Sequence, residues 1–225
     1  MEYIIGIDEV GRGCLAGPVT VAAAAMPLGL SIGDYGWGKL KDSKKLTAKQ
    51  REKWLEWIKL TNNRRQTTDN DRGLLAVSRK LMYATASVYP KVIDRINITQ
   101  AANLAATRAI IRLMTDNKRL VAGNVKIFLD GGLHLLKTQN PKFYILNSRT
   151  IVRGDEKFNC VKMASIVAKV SRDRAMRRLH RKFPVYGLDK HKGYGTKDHI
   201  LALRKFGPSA THRLTFLRNC LTIKS

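Results

Sequence analysis

The residues able to do chemistry in this 225-residue chain are mostly acids placed after short apolar runs. Asp8-Glu9 follows the run at residues 3–7, Asp130 follows the run at 125–129, and Asp155 follows Arg153-Gly154 just after the run at 150–152. Sites in sheet-based α/β domains gather outside strand ends. If these runs are neighbouring strands, four carboxylates converge. Such a cluster repels itself and calls for a cation. Oxygen donors without His or Cys select Mg²⁺ or Mn²⁺. A single Asp after a strand is more often a turn or cap residue, and Asp130-Gly131 by itself reads as a common turn. The weight comes from the repetition.

Gly11-Arg12-Gly13 follows the paired acids directly. Three such letters alone describe a hairpin turn. Beside two acids they describe a backbone that a ligand can approach closely, with N–H groups turned outward. Lys41-Asp42-Ser43-Lys44-Lys45 suits phosphate contacts, although a solvated loop has the same composition. Arg172, Arg174, Arg177 and Arg178 put several cations on one helix, where Asp173 could be a structural partner. His191-Lys192-Gly193-Tyr194-Gly195-Thr196 joins cations, an aromatic ring and glycines, a combination suited to stacking on a sugar or base beside a phosphate. An ordinary surface loop can also carry these residues. The five histidines lack zinc spacing.

The elements that must position these residues can be read coarsely. Runs at 3–7 and 18–26 are adjacent strands joined by a tight, glycine-containing connection. Residues 28–41 are glycine-rich and irregular. Thr47 caps a helix to about residue 60, with Gln50 completing a capping box. Residues 61–72 read as a loop, 81–88 as a mixed segment that could hold a strand. A helix starts at Asn97, with Ala102, Ala105, Ala109, Ile110 and Leu113 at helical spacing. Strands are expected at 125–129 and 150–152, helices at 160–182 and 197–205, and a loop at 183–196. Alternating strands and helices indicate an α/β domain on one mixed sheet.

Composition narrows the function class. Lys and Arg number 42 against 17 Asp and Glu, a net charge of +25, which attracts polyanions and nucleic acid first of all. A hydrophobic content of 44% excludes wholesale disorder. The longest apolar run is too short to span a bilayer, and no amphipathic helix stands out as a membrane binder. The first residues lack a basic leader, and Cys14, Cys160 and Cys220 form no CxxC pair. A cytoplasmic protein with free thiols is expected. Acids that hold metals in a chain that attracts polyanions point to phosphodiester hydrolysis.

Taken in order, these stretches resemble the ribonuclease HII family. The opening Asp8-Glu9-Val10-Gly11-Arg12-Gly13 with Leu15-Ala16-Gly17-Pro18-Val19 resembles its first signature, and Asp42-Ser43-Lys44-Lys45-Leu46 its second. Further blocks are Leu129-Asp130-Gly131, then Arg153-Gly154-Asp155 with residues 164–170 and Arg172-Asp173-Arg174. Tyr186-Gly187, His191-Lys192-Gly193-Tyr194 and Thr196 follow, and His212-Arg213 with Phe216 comes last. The blocks run from about residue 4 to 216.

The resemblance implies a ribonuclease H-like fold, a central mixed β-sheet flanked by helices. It implies a catalytic domain over 1–216, whose helical part from about 157 contributes to substrate binding, and a short tail over 217–225. It implies cleavage of the RNA strand of RNA–DNA hybrids and incision 5′ of single ribonucleotides in duplex DNA, leaving 3′-hydroxyl and 5′-phosphate ends, as in ribonucleotide excision repair and primer removal. Asp8, Glu9, Asp130 and Asp155 would hold two divalent ions, Mg²⁺ or Mn²⁺. Gly11, Arg12 and Gly13 would read the ribose 2′-hydroxyl and adjoining phosphate. Tyr194 would stack on the neighbouring sugar, and Ser43, Lys44 and Lys45 would lie near the backbone. A monomer is expected, and no clamp or polymerase partner is legible. Two other classes compete. A resolvase- or integrase-type metal nuclease explains the acids but not Gly-Arg-Gly, and a non-catalytic binder explains only the charge.

Overall fold

The computed structural model describes residues 2–30, 32, 40–63, 81–121, 125–137 and 148–221, with backbone only at 61–63, 119, 121, 155 and 219–221. Five strands form one mixed sheet. They are β1 (Tyr3–Val10), β2 (Val19–Pro27), β3 (Met82–Val88), β4 (Val125–Asp130) and β5 (Ser148–Ile151), in the order β3-β2-β1-β4-β5. β1 pairs antiparallel with β2 and parallel with β4, and β4 pairs parallel with β5. The parallel trio β1, β4 and β5 therefore ends at one sheet edge.

Alternation along the strands builds two cores. Ile5, Ile7, Val21, Ala23, Ala25, Ile127 and Leu129 face α2 (Pro90–Ile96) and α3 (Ile98–Asp116). Ala22, Ala24 and Met26 face α1 (Ala48–Asn63) and the 24-residue helix spanning Asn159–Lys182. Small residues in β2 let helices approach both faces. The approach is closest at Gly6, where a Cβ would sit 2.3 Å from the backbone of Cys160 and Val161. Any side chain there would push the long helix off the sheet.

The expected helix cap at Thr47 is present. Gln50 N–H donates to Thr47 Oγ1 at 3.2 Å, and Thr47 N–H donates to Gln50 Oε1 at 2.8 Å. The helix runs to Asn63, three residues into the segment expected to be a loop, whose remainder (64–72) lies outside the described residues. Most of the irregular 28–41 segment does too. Residues 82–88 form a full strand. The sequence pattern gives no sign of α2 between Pro90 and Ile96; it turns sharply into α3 at Asn97, whose φ is +65° and whose side chain accepts from Gln100 N–H.

In chain order after α3 come α4 (Lys118–Val121), α5 (Gly154–Lys157), α6 (Asn159–Lys182), α7 (Leu188–His191), α8 (Lys197–Phe206) and α9 (Leu214–Leu221). The expected 183–196 loop thus contains a short helix. α9 crosses the expected boundary at 216, and Leu217 is buried with Leu15, Met176, Tyr186, Leu188 and Leu203 in a third cluster. The helix thus carries chain order past 216, with Leu217 buried. Asp94 of α2 caps α9, accepting from Leu214 N–H at 2.9 Å and Thr215 N–H at 3.0 Å. Among the described residues, no helix is long and apolar enough to cross a membrane.

Candidate active site

β1 continues through its acids instead of ending before them, since Asp8 pairs with Ala22 and Glu9 with Val21. Alternation sends the two side chains to opposite faces. Asp8 points toward α6, and Glu9 toward α3. Asp130 closes β4 on the same side as Asp8, because Ile7 pairs with Leu129 in parallel register. Asp8, Glu9 and Asp130 line one cavity of about 310 Å³. Asp155 sits in α5, one turn beyond the end of β5 at the same edge.

Each acid has its own support. Glu9 N–H donates to Asp8 Oδ1 at 2.7 Å. Arg12 Nη1 donates to Glu9 Oε1 at 3.3 Å, and Arg12 Nη2 to Thr99 Oγ1 at 3.3 Å. Gly154 N–H donates to Asp130 Oδ1 at 2.7 Å, which ties the turn before Asp155 to β4. That turn is made by Arg153 at φ +56°, a rare conformation for a residue with a side chain. Burial pushes the Asp8 carboxyl well above the usual range. Glu9 and Asp130 add to the rise as like charges, while a hydrogen bond from Ser165 opposes it. Glu9 is also raised, chiefly by burial, with Arg12 opposing.

The donor chemistry fits a hard divalent cation. Only carboxylate oxygens are offered, and Glu9 Oε2 is buried with no hydrogen-bond partner. An unpaired buried carboxylate oxygen is costly unless something positive reaches it. Among the described residues, no three His, Cys, Asp or Glu side chains form a closed ligand group. Three of the four expected acids share the cavity, and the side chain of the fourth is not among those described.

The other expected residues lie around the same acids. Gly11, Arg12, Gly13, Ser43, Lys44 and Tyr194 all line the same cavity. Lys45 is exposed and does not line it. A Cβ at Gly13 would meet open space, so this stretch of backbone faces solvent. Ser43 Oγ lies 2.7 Å from Ser165 Oγ, which places the Ser43 turn against α6 beside Asp8. Tyr194 remains 44% exposed, leaving its ring available to a ligand.

Several wall residues were not legible in the sequence. Arg51, Ser165 and Lys169 also line the cavity. Asp173 binds two of them, accepting from Lys169 Nζ at 3.0 Å and lying 3.9 Å from Arg51 Nη2. Lys169 and Ser165 fall in the 164–170 block, so position in that block was their one signal. Arg51 had none.

The arginine row on α6 divides by role. Arg174 and Arg177 pair with Glu52 of α1. Arg172 is fully buried and does not face a ligand; it donates to the carbonyls of Pro18 (2.9 Å), Ala16 (3.2 Å) and Lys192 (2.9 Å). Arg213, also fully buried, donates to Gly17 (3.0 Å), Arg12 (2.8 Å) and Gly11 (2.7 Å). Two charged forks thus stitch the 11–18 loop by its carbonyls.

A three-strand parallel edge with acids at its ends, an antiparallel pair beside it and helices on both faces define a ribonuclease H-like α/β fold. Solved structures agree. Ribonuclease H2 from Pyrococcus horikoshii OT3 superposes with a TM-score of 0.67 at 23% identity, over 97% of this chain and 96% of that one. The RNase HII of a PCNA:RNase HII complex from Archaeoglobus fulgidus gives 0.62 at 23% identity, over 99% and 98%. The ribonuclease HII family profile matches residues 5–219. Ribonuclease HII of Caldicellulosiruptor bescii is 39% identical over 222 residues, covering 99% of this chain and 90% of that protein. Ribonuclease HII of Endomicrobium trichonymphae is 42% identical over 214 residues, covering 95% and 84%. The chain belongs to the ribonuclease HII family. With membership comes the family's general activity, cleavage of RNA paired to DNA and excision of ribonucleotides.

Proposed function

We propose that the chain incises duplex DNA on the 5′ side of an embedded ribonucleotide and cuts the RNA strand of hybrids at the same site, leaving 3′-hydroxyl and 5′-phosphate ends. The observation that carries this reading is one cavity lined together by Asp8, Glu9 and Asp130 and by Gly11–Gly13 and Tyr194. Acids alone would serve any metal nuclease. A glycine turn within reach of the same phosphate adds a way to sense one hydroxyl group.

Asp8, Glu9, Asp130 and Asp155 would hold two Mg²⁺ or Mn²⁺ ions. When bound, such ions activate a water and stabilise the departing 3′-oxygen. The chain's own groups do the rest. Gly11, Arg12 and Gly13 approach the 2′-hydroxyl. The carbonyls of Gly11 and Arg12 already accept from Arg213, so the turn reaches the ligand in a fixed orientation. Tyr194 presses on the adjoining deoxyribose, where a second 2′-hydroxyl would crowd its ring. Lys44, Arg51 and Lys169 supply positive charge to the backbone from the cavity wall, with Ser43 beneath them and Lys45 further out. Residues 157–216 contribute Lys169 and Tyr194, and so form the substrate-binding half.

The test uses a duplex with one ribonucleotide beside an all-DNA duplex, each with Mg²⁺ or with EDTA. Cleavage of the first alone, only with Mg²⁺, and 5′ to the ribonucleotide is the expected result. Equal cutting of both duplexes would replace this reading with a general metal nuclease. Asp130→Asn should abolish cleavage while leaving binding near that of the native chain, because the basic wall is untouched.

A further inference from the structure

Three histidines behind Tyr194 take no part in the chemistry above. His199 and His212 are buried, and the His191 ring stacks on His199 at 4.3 Å. Their protons can be assigned, because backbone amides only donate and backbone carbonyls only accept. Ser209 N–H donates to His212 Nδ1 at 2.9 Å, so that nitrogen carries no proton. His199 Nδ1 lies 2.8 Å from the Tyr194 carbonyl oxygen, so that nitrogen carries one. Between the rings the two Nε2 atoms are 3.1 Å apart. Neutral His212 must carry its proton on Nε2 and donate it to the bare Nε2 of His199. His191 is fixed likewise. It accepts from Gly193 N–H at 3.2 Å, and its Nε2 lies 2.7 Å from the Tyr186 carbonyl. The reverse arrangement would leave His212 without any ring proton. Burial favours the neutral forms of both His199 and His212.

The chain of bonds is therefore directional, running from Ser209 N–H through His212 and His199 to the Tyr194 carbonyl. Both of its ends are tied to residues 15–17 of the 11–18 loop, just past Gly-Arg-Gly. His212 forms a β-bridge with Ala16, and Gly17 N–H donates to Thr211 O at 2.8 Å. Next to Tyr194, the Gly193 carbonyl accepts from Leu15 N–H at 2.8 Å and Ala16 N–H at 3.2 Å. A Cβ on Gly193 would lie 2.4 Å from Ala16 O, so the two segments are already in contact. The two imidazoles close a ring around the Tyr194 turn.

We infer that His199 and His212 are positioning residues. Their shared ring-to-ring proton, together with the bonds from Leu15 and Ala16 to the Gly193 carbonyl, sets the height of the Tyr194 turn over the 11–18 loop, and hence the discrimination of a ribonucleotide from its neighbour. The inference rests on the reading of Tyr194 as a substrate contact. Tyr194 N–H donates to His191 O and Thr196 N–H donates to Tyr194 O, but both bonds lie within the turn and cannot set its height. The bonds from Leu15 and Ala16 hold Gly193, the residue before it, and the histidine chain reaches Tyr194 itself from α8.

Two measurements test this. Long-range proton–nitrogen NMR on the full chain at neutral pH reads the tautomers without substrate. His199 should carry its proton on Nδ1, and His212 and His191 should carry theirs on Nε2. His199 protonated on Nε2, or charged, would overturn the assignment whether or not the chain cleaves anything. The second measurement compares His212→Asn with His212→Gln. Asn retains an acceptor for Ser209 but cannot reach His199, whereas the Gln amide extends to the Nε2 position and can donate. His212→Asn should lower kcat on a single embedded ribonucleotide about ten-fold with little change in KM, and His212→Gln should recover most of it. In a Tyr194→Ala background, His212→Asn should cost less than about two-fold. Should His212→Asn fail to fold, His199→Asn replaces it; this variant keeps the donor to Tyr194 and loses only the acceptor. Equal losses with and without Tyr194, or no recovery with Gln, would overturn the positioning role.

Discussion

The Arg172 guanidinium lies directly against Gly11, so that a Cβ on Gly11 would sit 2.0 Å from Arg172 Nε. Gly11 also takes φ +87°, which side-chain-bearing residues avoid. The first glycine of the turn is thus required twice, once for conformation and once for the buried arginine that holds the loop. Arg172 cannot retreat, because each of its three guanidinium nitrogens already donates, to Pro18, Lys192 and Ala16.

Gly11→Ala should therefore lower both stability and activity. The left-handed φ and the clash together should cost on the order of 2–3 kcal/mol, or a Tm drop of about 4–12 °C for a chain of this size. Gly13→Ala is the control. Its Cβ meets no protein atom within 4 Å, so Tm should hold while cleavage of an embedded ribonucleotide falls. Thermal melts and cleavage assays on the two variants separate the scaffold role from the ligand-facing role.

The two glycines also show how far a sequence carries. Repetition made Asp8, Glu9 and Asp130 visible, because one acid after an apolar run is usually a turn or cap while several point to a shared cation, and parallel pairing then brought them together. Type said nothing about direction. Arg172 and Arg174 look alike in the chain, yet one is fully buried under the 11–18 loop and the other bonds Glu52 at the surface. Helical periodicity could not separate them, since an arginine on the inward face breaks the apolar pattern that periodicity relies on. Helix α2 escaped notice because its seven residues, starting at Pro90, are too few to display a period. Arg51 was invisible for a third reason. Its place in the cavity is set by its own donation to the Ser43 and Leu46 carbonyls, a turn geometry that residue type does not reveal, with Asp173 from α6 lying 3.9 Å away.

Asp8→Asn should trade activity for stability. The Asp8 carboxyl is raised because burial and its acidic neighbours penalise its charge. A folded pKa above the unfolded one means that ionisation costs stability as pH rises through and beyond the ordinary carboxylate range. An amide of the same shape removes that cost. At neutral pH the variant should melt higher by about 2–4 °C, corresponding to on the order of 1 kcal/mol, and cleave nothing. An unchanged or lower Tm would mean that the hydrogen bonds to Asp8 outweigh its burial.

Binding should weaken steeply with salt, given the net charge of +25. Lys44 lines the cavity and Lys45 does not. Lys44→Ala should reduce the slope of log affinity against log salt by about one unit, the change expected when one phosphate is no longer neutralised. Lys45→Ala should change it less. A slope unaffected by Lys44→Ala would move the backbone path away from the 43–45 turn.

Acid should loosen the C-terminal half before it reaches the carboxylates. His212 is pushed down to about 4, first by burial and then by His199, and His199 is lowered in the same direction, first by burial. A histidine with a depressed folded pKa binds its proton more readily in the unfolded chain. The unfolded state therefore gains on the folded one as pH falls below the unfolded value of about 6.5, and the gain from His212 continues down to about 4. Denaturant midpoints should fall across that window with a slope near one to two protons taken up on unfolding, one for each buried ring. His212→Gln keeps a neutral donor and has nothing to titrate, so its slope should be smaller by about one proton. The two curves should converge toward neutral pH if the amide restores the bond to His199. Parallel curves over the whole window would mean that His212 takes up its proton inside the folded protein, and the ring-to-ring bond at 3.1 Å would then have to break without loosening the fold.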